Sequence, residues 1–182
     1  MVPEVAVIGR FQPFHWGHFE YVTEAARHHP RLAVGITNPS PERSRHTGAD
    51  PNRSREEANP FTFEQRSAMV STSLTRLVPH LSPRIVPCDL RSPTTLRSSL
   101  GDCDVVALTV YDAWGREKQV LAEAAGYEVL VLWQRTEKLV TGTEVRRRWR
   151  MSLPWDHLVP SGTAEVICSQ VGDALWELPE TN

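Results

Sequence analysis

What most constrains this chain is a set of short runs in which apolar residues follow one another without polar alternation. Val5-Ala6-Val7-Ile8, Leu32-Ala33-Val34-Gly35-Ile36 and the stretches within Asp104–Val110 and Glu128–Leu132 are of this kind, and Arg84-Ile85-Val86 is a weaker one. A strand with one wet face alternates, whereas a strand covered on both faces reads as a continuous apolar run. Between the runs lie segments with helical spacing. Phe19, Val22, Ala25 and Ala26 follow His18; Met69, Val70, Leu74 and Leu77 follow the capping-box pattern Thr62-x-x-Gln65; a further helix is expected from Gly115 to Ala125. Short helices are expected around Thr143 to Arg150 and, carrying Val166, Ile167 and Val171, from Thr163 to about Leu175. Strand alternating with helix predicts an α/β fold of Rossmann-like type: a parallel sheet with helices on both faces and a ligand crevice at the carboxyl ends of its strands.

Length limits the number of such units. The chain has 182 residues, 40% of them hydrophobic, which suits one well-buried domain over 1–182 and falls short of two of typical size. A formal charge of −2 argues against a nucleic-acid binder, although Arg146, Arg147, Arg148 and Arg150 form a local cationic cluster. Cys88, Cys103 and Cys168 make no Cys-x-x-Cys pair, so neither a disulfide framework nor a zinc site is suggested. No apolar stretch reaches the roughly 18 residues of a membrane span. A cytoplasmic protein without membrane partners is therefore expected. From Asn38 to Pro60 the chain is rich in Pro, Ser, Arg, Asp and Asn without apolar periodicity, and it is read as a lid-like loop over 38–60.

The first run opens directly into Gly9-Arg10-Phe11-Gln12-Pro13-Phe14-His15-Trp16-Gly17-His18, which leads into the first helix. A strand-to-helix turn at this edge presents backbone N–H groups and the positive end of a helix to an anion. Gly9 and Gly17 are expected to let the backbone approach a bulky ligand. His15 and His18, three residues apart, can face one phosphate and donate hydrogen bonds as charge moves onto a leaving pyrophosphate. Two histidines alone are more often structural; their place after a buried strand is what favours chemistry. Near the other end, Thr141-Gly142-Thr143-Glu144-Val145-Arg146 places hydroxyls and N–H groups at a helix start, with Thr143 expected as the N-cap and Arg146 one turn on as a fixed positive charge.

The first of these segments resembles the signature of the HxGH nucleotidyltransferase superfamily, in the form seen in archaeal-type nicotinamide mononucleotide (NMN) adenylyltransferases. The second resembles that superfamily's Ser-Gly-Thr-x-Ile-Arg element. Asn59-Pro60-Phe61-Thr62-x-x-Gln65-Arg66 and Trp155-Asp156-His157-Leu158-Val159-Pro160 resemble two further segments of the same relatives, so the likeness covers most of the chain. It implies transfer of a nucleoside monophosphate from an NTP to a phosphate or phosphonate acceptor with release of pyrophosphate, and in-line attack on the α-phosphate. His15, His18 and Arg146 would be catalytic; Gly9, Arg10, Phe11, Gly17, Tyr111, Asp112, Thr141, Gly142 and Thr143 would bind the nucleotide. Mg²⁺ is the implied cofactor, bridging the NTP phosphates; the chain offers no carboxylate cluster to hold it, so no metal-ligand residues are assigned. Superfamily members are commonly oligomers, which makes a homo-oligomer an expectation.

The departures from the NMN adenylyltransferases bear on substrate. Their segment after the third strand carries a Trp that stacks on the pyridine ring, but Asp89-Leu90-Arg91-Ser92-Pro93-Thr94-Thr95-Leu96 has no aromatic residue. Arg91 and Arg97 suit a small, densely charged acceptor instead. Thr109-Val110-Tyr111-Asp112-Ala113-Trp114 stands where those enzymes have Ser-Gly-Asn. The long basic loop supplies Arg45, His46, Arg53 and Arg55, which with Asn38, Asp89 and Arg91 are the candidate acceptor-binding residues. These features resemble the branch of the family that attaches CMP from CTP to small phosphonates, such as phosphonoformate, in natural-product pathways. An NMN adenylyltransferase using ATP remains the alternative, and a non-catalytic nucleotide-binding sensor is a second.

Overall fold

The computed structural model describes residues 3–38 and 56–171. Five strands form one fully parallel sheet: β1 (Glu4–Gly9), β2 (Arg31–Thr37), β3 (Arg84–Cys88), β4 (Val105–Val110) and β5 (Glu128–Gln134), in the order β3-β2-β1-β4-β5. The helices between them are α1 (Trp16–His28), α2 (Phe63–Leu77), α3 (Pro93–Leu100) and α4 (Ala113–Ala124). After β5 come α5 (Gly142–Arg150) and α6 (Ser161–Val166), which runs into a π-helical turn at Ile167–Val171.

The three central strands, β1, β2 and β4, are buried on both faces, as their apolar runs demand, whereas the edge strands β3 and β5 are only partly covered. Val5 and Val7 of β1 pack on one side with α1, α2 and α6, through Tyr21, Val22, Met69, Val70, Leu74 and Val166. Ala6 and Ile8 point the other way, into a smaller cluster with Leu96 and Leu100 of α3 and Ala122 of α4. Alternate residues of one strand thus serve two cores. α6 reaches α2 closely because Gly162 lies against the backbone of Thr72 and Ser73, where a Cβ would come within 2.5 Å of the Ser73 nitrogen.

The capping box read from Thr62-x-x-Gln65 is present: Gln65 N–H donates to Thr62 Oγ1 and Thr62 N–H to Gln65 Oε1. α3 was not anticipated from apolar spacing; Ser92 caps it and Pro93 occupies its first turn. The last helix breaks at Ile167 instead of continuing as one α-helix, and Leu175, like most of the 38–60 loop, lies outside the described residues.

One place in this topology invites a ligand. β1 leads to β2 and β3 on one side, whereas β4 and β5 lie on the other, so connections depart in opposite directions at the β1/β4 junction. β1 pairs with β4 only over Val5–Val7 and Val105–Ala107. Beyond that point the Tyr21 hydroxyl stands between the strands, donating to the Ala107 carbonyl at 2.6 Å and accepting from Ile8 N–H at 3.1 Å. It satisfies backbone groups that diverging strands would leave unpaired.

Candidate active site

A cavity of about 480 Å³ opens above this junction. Its walls include Gly9, Arg10, Phe11, His15, Gly17 and His18 from the β1–α1 turn and first helix, and Asn38 from the end of β2. Tyr111 and Asp112 contribute from the end of β4, and Thr141, Gly142, Thr143 and Arg146 from the start of α5. Two segments 120 residues apart in sequence therefore meet across one space. The charged side chains facing it among the described residues are Arg10, Lys118, Lys138 and Arg146, against the single carboxylate of Asp112. That imbalance suits a polyanion.

His15 is the N-cap of α1, and the helix begins with a reciprocal arrangement of the two imidazoles. His18 N–H donates to His15 Nδ1 at 3.4 Å, and His15 N–H to His18 Nδ1 at 3.5 Å. The rings stack with centroids 3.7 Å apart. With each Nδ1 turned to a backbone N–H, the arrangement favours the tautomer that carries its proton on Nε2 in both rings. Burial brings the His15 pKa down to about 3, helped by the charges of Lys138 and Arg146. His18 is also pushed well below the ordinary histidine value, first by burial and then by His15, with a hydrogen bond to the Pro13 carbonyl acting the other way. Both rings are neutral at physiological pH.

Arg146 is 6% exposed and has no carboxylate within ion-pair distance among the described residues. Its guanidinium donates through Nη1 to the Gln12 carbonyl and through Nη2 to Thr143 Oγ1 at 3.3 Å. Burial and the neighbouring Arg10 and Arg150 bring its pKa down to about 10, which still leaves it fully charged at neutral pH. Gly142 makes this approach possible, since a Cβ there would lie 2.5 Å from the Gln12 oxygen. The cap of α5 is Thr141, whose Oγ1 accepts from Glu144 N–H at 3.2 Å; this corrects the expectation of Thr143. Freed from capping, the Thr143 hydroxyl orients Arg146.

Other expectations change as well. The clearance at Gly9 is filled by the Phe11 ring, 2.7 Å from where a Cβ would stand, and at Gly17 by the His15 ring at 3.3 Å, so these glycines admit protein side chains where a ligand was expected. Asp89 and Arg91 do not line the cavity; they form a bidentate pair with each other, with contacts of 2.6–3.0 Å. Arg97 lies elsewhere, over the Tyr127 ring at 4.7 Å and near Asp102. Arg45, His46, Arg53 and Arg55 lie outside the described residues.

Several residues that shape the site carried no individual assignment in the sequence. Gln12 clamps the Phe61 peptide, donating from Nε2 to its carbonyl at 2.9 Å and accepting its N–H at 3.0 Å, while its own carbonyl receives Arg146. Arg66, 1% exposed, donates to the carbonyls of Arg10, Thr37, Asn38 and Thr62, tying the ends of β1 and β2 to α2. Its pKa falls to about 10 through burial and Arg10. Trp114, Lys118 and Lys138 complete the walls. Gln12, Arg66 and Trp114 sat within segments already singled out, whereas Lys118 and Lys138 reach the site only through the topology.

No group of three or more His, Cys, Asp or Glu able to hold a metal occurs among the described residues, and no helix there is long and apolar enough to cross a membrane. Comparison with known proteins agrees with the architecture. Residues 6–148 match the cytidylyltransferase-like family. Phosphonoformate cytidylyltransferase of Streptomyces viridochromogenes is 42% identical over 160 residues, covering 87% of each chain. Nicotinamide-nucleotide adenylyltransferase of Methanosarcina mazei is 34% identical over 170 residues, covering 89% of this chain and 86% of that one. Among solved structures, a bifunctional NMN adenylyltransferase/ADP ribose pyrophosphatase from Francisella tularensis superposes with a TM-score of 0.61 at 16% identity; 94% of this chain is covered, and it spans about half, 52%, of that protein. With a five-stranded parallel sheet in this order, both signature segments and this coverage, the chain is a nucleotidyltransferase that belongs to the cytidylyltransferase-like family.

Proposed function

We propose that the protein is a CTP-dependent cytidylyltransferase acting on a small phosphonate such as phosphonoformate. The observation that carries this reading is the cavity's four cations, Arg10, Lys118, Lys138 and Arg146, against the one carboxylate of Asp112, beside the amino ends of α1 and α5. The 42% identity to a phosphonoformate cytidylyltransferase over 87% of the chain supports the choice of substrates. So does the absence of an aromatic side chain from the segment 89–96, which leaves no stacking surface there for a pyridine ring.

In the proposed reaction a phosphonate oxygen attacks the α-phosphorus of CTP in line. The bond from that phosphorus to the bridging oxygen breaks, and its electron pair leaves with pyrophosphate. No proton has to move to a protein group, so neutral imidazoles are the right species. His15 and His18 donate Nε2–H bonds to phosphate oxygens as charge accumulates, and one such preorganised donor is worth about 2.7–4 kcal/mol. Arg146, held by Gln12 and Thr143, supplies fixed positive charge beside them. Gly9, Arg10, Phe11, Gly17, Thr141, Gly142 and Thr143 shape the phosphate side, and Tyr111 and Asp112 the nucleoside side. Asn38 sits at the acceptor side, where its carbonyl is tied to Arg66. A divalent ion such as Mg²⁺ fits as one carried by the NTP phosphates, because Asp112 is the only carboxylate facing the cavity among the described residues and it is engaged as a helix cap. Bound there, it would neutralise phosphate charge.

Pyrophosphate release measured with each of the four NTPs against phosphonoformate, other small phosphonates and NMN tests this reading. CTP with a small phosphonate is expected to be the productive pair. The 34% identity to an NMN adenylyltransferase favours a second reading, ATP with NMN. Exclusive turnover of that pair would establish it and overturn the first.

A further inference from the structure

Lys138 lies in the loop between β5 and α5, three residues before the cap Thr141, and faces the same cavity as Thr143 and Arg146. Its ammonium stands 3.6 Å from Asp112 Oδ2 and 5.3 Å from the centroid of the Tyr111 ring. Neither partner depends on it. Asp112 caps α4 through its other oxygen, accepting Gly115 N–H at 2.9 Å, so the helix end already stabilises its charge. Tyr111 accepts a hydrogen bond from Trp133 Nε1 at 2.9 Å, which holds the ring with or without a cation above it. The Lys138 and Asp112 side chains are 41% and 43% exposed, and ion pairs in such surroundings are weak.

The loop that carries the lysine is anchored at its ends and open in the middle. Arg135 N–H donates to the Val110 carbonyl at 3.1 Å and its guanidinium grips Glu20, while Thr141 is fixed as the cap of α5. Leu139 between them lines the cavity yet is 70% exposed. The charge of Lys138 is felt at His15, where it ranks next after burial in holding that ring neutral. The ammonium is therefore within electrostatic reach of the imidazole end of the cavity while it stands at Asp112.

Resting on the nucleotidyl-transfer reading, we propose that Lys138 is a substrate-binding residue that leaves Asp112 for the β- and γ-phosphates when the NTP enters. A compact ammonium on a four-carbon stem reaches from one anion to the other without moving the backbone, and it can follow the pyrophosphate as it departs. Arg146, locked by two hydrogen bonds, has no such freedom.

Calorimetric titration of inorganic tripolyphosphate, CTP and CMP into the wild type, Lys138→Gln and Lys138→Arg tests this directly. Lys138→Gln is expected to weaken tripolyphosphate and CTP by roughly tenfold, the loss of one charge-assisted contact, while CMP binding and the melting temperature stay unchanged. Lys138→Arg should restore most of the affinity. Equal weakening of CMP and CTP, no change with any of the three, or no measurable tripolyphosphate binding to the wild type would each overturn the proposal. Failure of the transfer reading shows differently: the wild type would bind CTP but release no pyrophosphate with any NTP, and the tripolyphosphate comparison would still decide the role of Lys138.

Discussion

The two edges of the sheet handle buried charge in opposite ways. At the amino edge, Glu4 sits at the start of β1 and meets Arg84 at 2.7 Å, Arg31 at 3.5 Å and the Cys103 thiol at 3.0 Å. Burial alone would raise the Glu4 pKa, but the bonds from Arg84 and Cys103 outweigh it and hold it below the ordinary glutamate value; the same carboxylate and burial push the Cys103 thiol up to about 12. At the carboxyl edge, Arg66 and Arg146 are buried with only neutral oxygens as hydrogen-bond partners among the described residues. A cation satisfied by carbonyl and hydroxyl oxygens keeps its geometry while its charge stays uncompensated. The amino edge is electrostatically closed; at the carboxyl edge Arg66 braces the strand ends, and Arg146 lines the cavity with its charge uncompensated.

Substitutions at the two edges should separate activity from stability. The largest expected effect is at His18: His18→Ala should lower kcat by about 10²–10³ through lost donation in the transition state, beside a stability loss of only about 1 kcal/mol from its cap bond to His15 N–H. Steady-state pyrophosphate release beside a thermal melt checks it, and an unaffected rate would remove His18 from the chemistry. Arg66→Met should cost about 3 kcal/mol of folding stability, since it takes the guanidinium from the carbonyls of Arg10, Thr37 and Asn38, while that of Thr62 keeps the backbone N–H of residue 66. Denaturant unfolding measures that, and a loss of activity with undiminished stability would show Arg66 acting on substrate instead.

A smaller effect follows from titration. The His15 pKa is depressed to about 3 in the fold and returns towards 6.5 on unfolding, so between those values the unfolded chain binds more protons. The stability contributed by this neutral ring is complete above about pH 6.5 and is lost as pH falls towards 3, at up to about 1.4 kcal/mol per pH unit. His15→Asn keeps a capping side chain and should flatten the pH dependence of the unfolding midpoint over that window; an unaltered slope would mean that the ring is already protonated in the fold. The smallest effect belongs to the closed edge. Glu4→Gln should cost about 1 kcal/mol of stability and leave pyrophosphate release unchanged, and a changed rate would contradict the division between the edges.

How much of this was legible in the sequence follows the range of the interactions involved. β1, β2 and β4 were visible because burial on both faces leaves runs that are almost wholly apolar, β5 because its run is apolar although only partly covered, and Thr62-x-x-Gln65 because a capping box joins residues only three apart. α3 escaped because its signal is the cap Ser92-Pro93 and not an apolar stripe. Thr141 and Thr143 stand two residues apart at the same helix start, and only the observed helix boundary gives the cap to Thr141 and leaves Thr143 to Arg146. Arg91 looked like an anion binder until its own neighbour Asp89 was seen to hold it. Trp114, Lys118 and Lys138 come together only once β4 and β5 lie beside β1, which no local pattern announces.

The central claim is that the imidazole pair of α1 and the arginine of α5 share one triphosphate. A crystal structure with a non-hydrolysable CTP analogue measures it directly. Phosphate oxygens within hydrogen-bonding distance of His15 Nε2, His18 Nε2 and the Arg146 guanidinium are the predicted result. A triphosphate bound away from all three, with Arg146 still turned to Gln12 and Thr143 alone, would contradict it.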